Sequence, residues 1–375
     1  MEFTCKSKDL KDAIGVVEKA IAAKSSLPVL ENVYLELSDN SLRLRGNNLE
    51  IGIENNLQIE QVQSTGSVLL KAKTLSGIIA KLDNESITLK ADDQQKVSIK
   101  SGKVDLAILG NKVDEYPVFP SIESGQQLSL TVEALRELIS HTLIAVSYDE
   151  TKQFLNGIMV RNEQDSLVFV STDGYRLALK KQGIVPLNEE FSSIVPHKAF
   201  SELNRILQNE PADKKVQMII SSGQISFKMD SFLLISRLIQ GQFPDYNQVI
   251  PKETANSFKI SRQAFTAAAD RASIIASASN NVVRFSFDNE SMLLQANAKG
   301  LGDFKEDVTI SRLSGSDSAK IAFNIRLILD VLKTVAAEDL IISFNNELSP
   351  CKMTIENDNS FCYIIMPIRT TDYQD

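Results

Sequence analysis

The stretch Ser171–Lys181, STDGYRLALKK, follows the apolar run SLVFV and concentrates chemically capable side chains. Three kinds of chemistry fit it. The Asp173 carboxylate on a tight turn could act as a general acid or base. The Gly174 backbone beside Arg176 could cradle an anion. Asp-Gly after a strand could also be only the bend of a hairpin, its commonest setting. Other candidates are sparse. His141 and His197 are the only two histidines, and each falls inside a helical pattern. No phosphate-binding G-x-x-x-x-G-K-[ST] loop, G-x-S-x-G elbow or H-E-x-x-H pair is present, and no carboxylates form a recognisable paired motif. Cys5, Cys351 and Cys362 are odd in number and lack metal-binding spacing. The expectation is a protein without metal, cofactor or catalytic site, its cysteines buried free thiols in a reducing cytoplasm.

The elements that position this stretch follow from composition and periodicity. At 375 residues, 43% hydrophobic and 23% charged, the chain has the composition of a globular protein with more than one core. Its apolar runs are too short to span a bilayer, and MEFTCKSKDL lacks the pattern of a signal peptide. Three segments share an opening: from Phe3, from Leu128 and from Phe258, a short alternating strand passes into helical spacing. The apolar helix faces would be Leu10, Ile14, Val17 and Ile21; then Leu135, Leu138, Ile139, Thr142 and Val146; then Phe265, Ala268, Ala269, Ala272 and Ile275. Each copy continues with two strands, a second helix and two more strands, a period of roughly 125 residues, ordinary for a domain. The Pro-rich segments YPVFPSIESGQQ and FPDYNQVIPKETANS read as linkers. The expected fold class is α+β, with three similar domains at 1–123, 124–253 and 254–375.

Charge divides unevenly over this frame. The net charge is −8, which argues against gripping nucleic acid through overall charge. The six helical windows, however, lean positive by roughly six charges, leaving roughly fourteen negative for strands and loops. Either amphipathic helices simply collect Lys and Arg on a solvent face, or all six face a shared space that holds a polyanion.

The chain resembles the bacterial DNA polymerase III beta subunits, the beta sliding clamps, along its whole length. The carrying motifs are LPVLENVYLEL, FLNGIMV, TDGYRLA, GQFPDYNQVIP, FNIRLILDVL and YIIMPIR, in this order within the three-copy frame. The resemblance implies a ring-shaped head-to-tail homodimer of the DNA-clamp fold, helices lining a central hole and antiparallel sheets outside. It implies a non-catalytic processivity factor that encircles double-stranded DNA without sequence preference. The implied partners are the replicative DNA polymerase, a clamp-loader ATPase and other proteins carrying a Gln-Leu-x-Leu-Phe type motif, with no membrane.

By matching position, the family's client-peptide groove falls on Leu155, Thr172, Gly174, Tyr175, Arg176, Leu177, Pro244, Val249, Ser349, Ile364, Ile365, Met366, Pro367, Ile368 and Arg369. Leu177, Val249, Ile364 and Met366 would form an apolar hole, with Arg176 and Arg369 at its rim. Lys24, Lys73, Gln153 and Phe154 match DNA-contacting positions. Leu106 and Ile108 on one side, and Ile274 and Ile275 on the other, match the dimer interface. Three departures stand out: Gln248 where the family often has a basic residue, the acidic Asp149 in SYDETKQF, and the tail TTDYQD beyond Arg369. Two other classes remain open at this level: an enzyme using Asp173 in a cleft, and a repeat protein assembling through strand edges.

Overall fold

The computed structural model describes residues 1–22, 24–187 and 189–370. In the first copy run β1 (Glu2–Lys6), α1 (Ser7–Val17), β2 (Asn32–Ser38), β3 (Ser41–Asn47), β4 (Ile51–Gln58), β5 (Gln61–Ser64), β6 (Gly66–Lys71), α2 (Ala72–Ile79), β7 (Ser86–Ala91), β8 (Lys96–Ser101) and β9 (Val104–Leu109). The second holds β10 (Gln126–Thr131), α3 (Val132–Leu143), β11 (Gly157–Glu163), β12 (Ser166–Thr172), β13 (Arg176–Gly183), β14 (Ser192–Pro196), α4 (His197–Leu207), β15 (Lys215–Ile220), β16 (Gln224–Lys228) and β17 (Phe232–Arg237). The third holds β18 (Asn256–Ser261), α5 (Arg262–Ala276), β19 (Val282–Phe287), β20 (Ser291–Ala298), β21 (Gly302–Ser314), β22 (Ala319–Asn324), α6 (Ile325–Thr334), β23 (Asp339–Phe344), β24 (Cys351–Ile355) and β25 (Asp358–Ile365).

The order strand, helix, strands, helix, strands therefore recurs three times. Each strand group is longer than expected from the sequence, which yields pairs. The extra strands have ambiguous patterns: β13 reads RLALKKQG, with charge where alternation should show, and β21 carries Asp, Lys and Glu along an exposed edge. Tertiary pairing overrides weak local preference at such positions.

Contacts divide the chain into two compact units that cut across the copies. One comprises Met1–Glu133 and Glu202–Leu238, the other Ala134–Ser201 and the chain from Ile239. The first unit has a five-stranded sheet, β5-β1-β7-β8-β9, and an eight-stranded sheet, β10-β15-β16-β17-β4-β3-β2-β6. The seam β17–β4 joins strands of two copies antiparallel, with Leu234 opposite Ile53. Helix α1 buries Leu10, Ala13, Ile14 and Val17. Ile21, expected on that face, lies beyond the helix, after the 3-10 turn Glu18–Ala20.

The second unit is built on one twelve-stranded sheet, β14-β11-β12-β13-β25-β24-β23-β18-β21-β20-β19-β22. Helix α5 buries Phe265, Ala268, Ala269 and Ala272 as read from the sequence, but Ala276 completes its face and Ile275 is only half-buried. The hinge of this unit is β25, whose successive residues face opposite ways. Phe361, Tyr363 and Ile365 enter the core built around α5 and α6. Cys362 and Ile364 enter a second cluster with Leu177, Leu179 and Tyr246. A strand covered on both faces loses the polar alternation of a half-exposed one.

Two sequence expectations need correction. Lys24 and Lys71 are not helical: Lys24 sits in an exposed bend and Lys71 ends β6. The observed helices carry ten basic and seven acidic residues, a weaker positive lean than the windows suggested. Among the described residues no helix is long and apolar enough to cross a membrane. Cys351 and Cys362 are buried free thiols, Cys5 a half-buried one; burial pushes the Cys5 and Cys362 thiols up to about 12 and about 11.

His141 on α3 packs edge-on to Phe361, ring centroids 5.1 Å apart, and its Nδ1 lies 2.8 Å from the Glu137 carbonyl. Burial holds its pKa below the usual 6.5; Lys180 adds to that, while the Glu137 carbonyl and the Glu137 and Asp358 carboxylates oppose it. The unfolded chain then binds this proton more readily than the folded one. The contribution is intact above about pH 6.5 and is lost as pH falls below it. The urea midpoint should drop between pH 7.5 and 5.5, and H141N should show a shallower drop; equal slopes in both proteins would contradict the assignment.

Candidate functional site

The turn between β12 and β13 is built by its own side chains. Thr172 Oγ1 accepts the Gly174 N–H at 3.1 Å and donates to the Arg176 carbonyl at 2.6 Å. Asp173 Oδ1 accepts the backbone N–H groups of Tyr175 and Arg176 at 2.9 and 3.0 Å, an Asx turn. Gly174 takes φ +92°, which a residue with a Cβ adopts only under strain. Asp173 Oδ2 meets Arg176 Nε at 3.0 Å. With both oxygens occupied, this carboxylate is a structural cap, and it offers no free acid for catalysis.

Arg176 departs from the sequence expectation. It was placed at the rim, but its side chain is only 11% exposed, and Nη1 meets Asp330 of α6 at 2.6 Å. Burial disfavours its charge, but Tyr363, Asp330 and Asp173 more than offset this and raise its pKa. The Tyr363 hydroxyl donates to the Leu327 carbonyl of α6 at 2.8 Å. Arg176 is thus a clasp between turn and helix. Tyr175, 71% exposed, and Arg369, exposed, remain free at the surface.

Beneath the turn, Leu177 of β13 lies directly opposite Ile364 of β25, and both are buried on the face shared with Tyr246. Phe243 and Ile250 pack against that cluster. Val249 and Met366 stand exposed, at 40% and 38%. The Met366 N–H donates to the Tyr175 carbonyl at 2.8 Å and the Ile368 N–H to the Ala322 carbonyl of β22 at 2.8 Å, which tie down the segment of Met366, Pro367 and Ile368. Ile365 points the other way, into the core with α6, and lines no surface. Ser349 Oγ is consumed within its loop, accepting from the N–H groups of Asn345 and Asn346. Leu155 is buried outside the Leu177–Ile364 cluster, and Pro244 is exposed. Gln248 Nε2 donates to Asp245 Oδ2 at 3.1 Å, and Asp149 caps its own loop by accepting from Thr151.

The remaining candidates separate by unit. Lys24 and Lys73 are exposed in the first; Gln153, exposed, and Phe154, half-buried, sit on a 3-10 turn in the second. Leu106 and Ile108 are half-buried on β9, the edge of the five-stranded sheet, where Leu109 is 80% exposed. Ile274 is 67% exposed on α5, whereas Ile275 packs against the core. Residues 371–375 of the tail lie outside the described residues. Sequence reasoning missed Asp330 and Tyr363, for which no local signal exists. It also missed Phe243, Tyr246 and Ile250, whose spacing in FPDYNQVI does mark one face. Among the described residues no group of three or more His, Cys, Asp or Glu could hold a metal.

Family models of the DNA polymerase III beta subunit match in succession: the N-terminal domain over residues 1–120, the central domain over 129–245 and the C-terminal domain over 247–369. The beta sliding clamp of Bacillus subtilis is 30% identical over 99% of this chain and 100% of its own length. The chain belongs to the beta sliding clamp family. A second relative, the beta sliding clamp of Synechococcus elongatus, is 31% identical over 98% of this chain and 99% of its own. Among solved structures, the Bacillus subtilis sliding clamp superposes with a TM-score of 0.92 at 30% identity, covering 99% of each chain. The Pseudomonas aeruginosa sliding clamp bound to griselimycin superposes at 0.93 with 26% identity, covering 99% of this chain and 100% of that one. Relatives of this kind are processivity factors without catalysis, in keeping with a capped Asp173.

Replacing Arg176 by Met should leave Asp173 and Asp330 without their shared cation and cost about 2–3 kcal/mol. D330N should cost less, because Asp330 is 41% exposed. Urea denaturation midpoints check both; equal losses would mean that Asp330, and not Asp173, carries the ion pairing of Arg176.

Proposed function

We propose that two copies of this chain close head to tail into a ring around duplex DNA, and that its surface groove tethers the replicative polymerase and other clients. In this reading the three repeats, with boundaries near 123 and 253, supply six similar modules to the ring. Encirclement needs no base recognition, so a net charge of −8 is compatible with DNA inside the ring and discourages binding outside it. Lys24, Lys73, Gln153 and Phe154 would contact DNA. Leu106 and Ile108 on the β9 edge would meet Ile274 of the second copy. A clamp-loader ATPase would open the ring, because the chain carries no nucleotide-binding loop of its own.

The observation that carries the groove is the buried Leu177–Ile364 pair flanked by exposed Val249 and Met366. That is an apolar floor with adaptable walls, and Met moulds to differing side chains. Each Leu or Phe that a client seats there contributes about 1.5–3 kcal/mol. Two or three such anchors give dissociation constants on the order of micromolar, suited to exchange of partners.

Fluorescence anisotropy with a labelled peptide containing Gln-Leu-Ser-Leu-Phe tests this. Saturable binding should vanish when its Leu and Phe residues become Ala, and M366D should weaken it at least tenfold. Comparison with a protein ending at Thr370 tells whether residues 371–375 compete. Binding that is insensitive to M366D would remove the groove from this surface. For the ring, sedimentation should give twice the 41.5 kDa chain mass, and I274D, at an exposed position, should halve it. An unchanged mass in I274D would move the interface elsewhere.

A further inference from the structure

The Leu177–Ile364 row does not end at β25. Lys352 of β24 lies directly opposite Ile364, so Leu177, Ile364 and Lys352 form one row across three adjacent strands. Residues directly opposite in antiparallel pairs point to the same face. With strands about 4.8 Å apart, the Lys352 backbone stands roughly 10 Å from that of Leu177. One step down the strands, the pair Leu179–Cys362 follows on the same face, and there a cavity of about 340 Å³ opens. Its lining includes Leu179, Ile250, Ile341 and Thr354, with Lys181 and Lys352 as the basic side chains. Ile250 immediately follows the groove-wall residue Val249.

The charges around this trough are unevenly paired. Glu163 receives Lys181 at 3.0 Å and the Tyr246 hydroxyl at 2.9 Å. Asp358 faces Lys180 at 3.7 Å and accepts the Ser360 N–H at 2.7 Å. Lys352, half-buried, makes no ion pair among the described residues. The lining itself holds two carboxylates, Glu163 and Asp358, and two ammonium groups, Lys181 and Lys352, and of these Lys352 is the one without an ion-pair partner among the described residues, beside an aliphatic ledge continuous with the groove.

We propose that this trough is an extension of the client groove, in which Lys352 takes an Asp or Glu that flanks the client's apolar anchors. The proposal rests on the groove reading above and adds a charge preference to it. A separation of roughly 10 Å is about three residues of extended chain, so the acid belongs within about three positions of an anchor. The chemistry selects an acidic-and-apolar segment over a basic one, through an electrostatic contribution that salt weakens.

The test uses labelled peptides sharing Gln-Leu-Ser-Leu-Phe, with a neutral, a Glu-containing or a Lys-containing flank. One series carries the flank before the motif and another after it. In one series the acidic flank should bind three- to tenfold tighter than the basic one, with the neutral flank between and the spread shrinking at high salt. K352E should reverse that order, and K352Q should flatten it. No ranking in either series, or a ranking that survives both substitutions, overturns the extension and leaves the groove standing. Failure of the neutral peptide to bind the unaltered protein overturns the groove, and the extension with it.

Discussion

The antiparallel seam between β13 and β25 is the constraint on which the second unit depends. It joins a strand of the central copy to the last strand of the third, with Leu177 opposite Ile364. Because side chains alternate, a slip of one residue would turn Tyr363 and Ile365 outward and drive Ile364 into the core beside α6. Both faces of β25 are apolar and covered, so such a slip would break two packed clusters at once. Register is therefore strongly specified there. The Leu177–Ile364 pair inherits that precision, because strand pairing fixes both of its members.

The Asp173–Arg176–Asp330 clasp shows how a loop can be made part of such a scaffold. The Asx turn shapes the hairpin locally, and Arg176 then carries its position to α6. A buried guanidinium with two carboxylates and a tyrosine around it is satisfied only in one geometry. Tyr175 is left as the exposed member of TDGYR. Chemistry that looks catalytic in one dimension becomes positioning in three.

Electrostatics and topology divide the work differently from what an acidic chain first suggests. The helices lean positive only modestly, and two of their basic residues are already paired among the described residues, Arg271 with Glu306 and Arg205 with Glu202. Strong phosphate contacts would hold DNA in place, whereas a sliding protein must hold it loosely. A ring retains its DNA by closure, so weak, sequence-indifferent contacts suffice.

The sequence by itself determined the three copies, the six helices and most of their buried faces, and the match to sliding clamps. These rest on local periodicity and on motifs read in order, and both survive without knowledge of the fold. It also marked TDGYR and YIIMPIR as parts of one surface, though only through resemblance. Tertiary structure alone decided which face of β25 each residue took, sending Ile365 into the core beside α5 and α6 and Ile364 into the cluster with Leu177 and Tyr246. It alone brought Asp330 to Arg176, 154 residues away in the chain, and Lys352 into the row of Leu177. The reason is physical: strand pairing and ion pairing between distant segments leave no periodic trace in either partner. A residue such as Arg176 therefore looks the same in sequence whether it will meet solvent or a carboxylate on a distant helix.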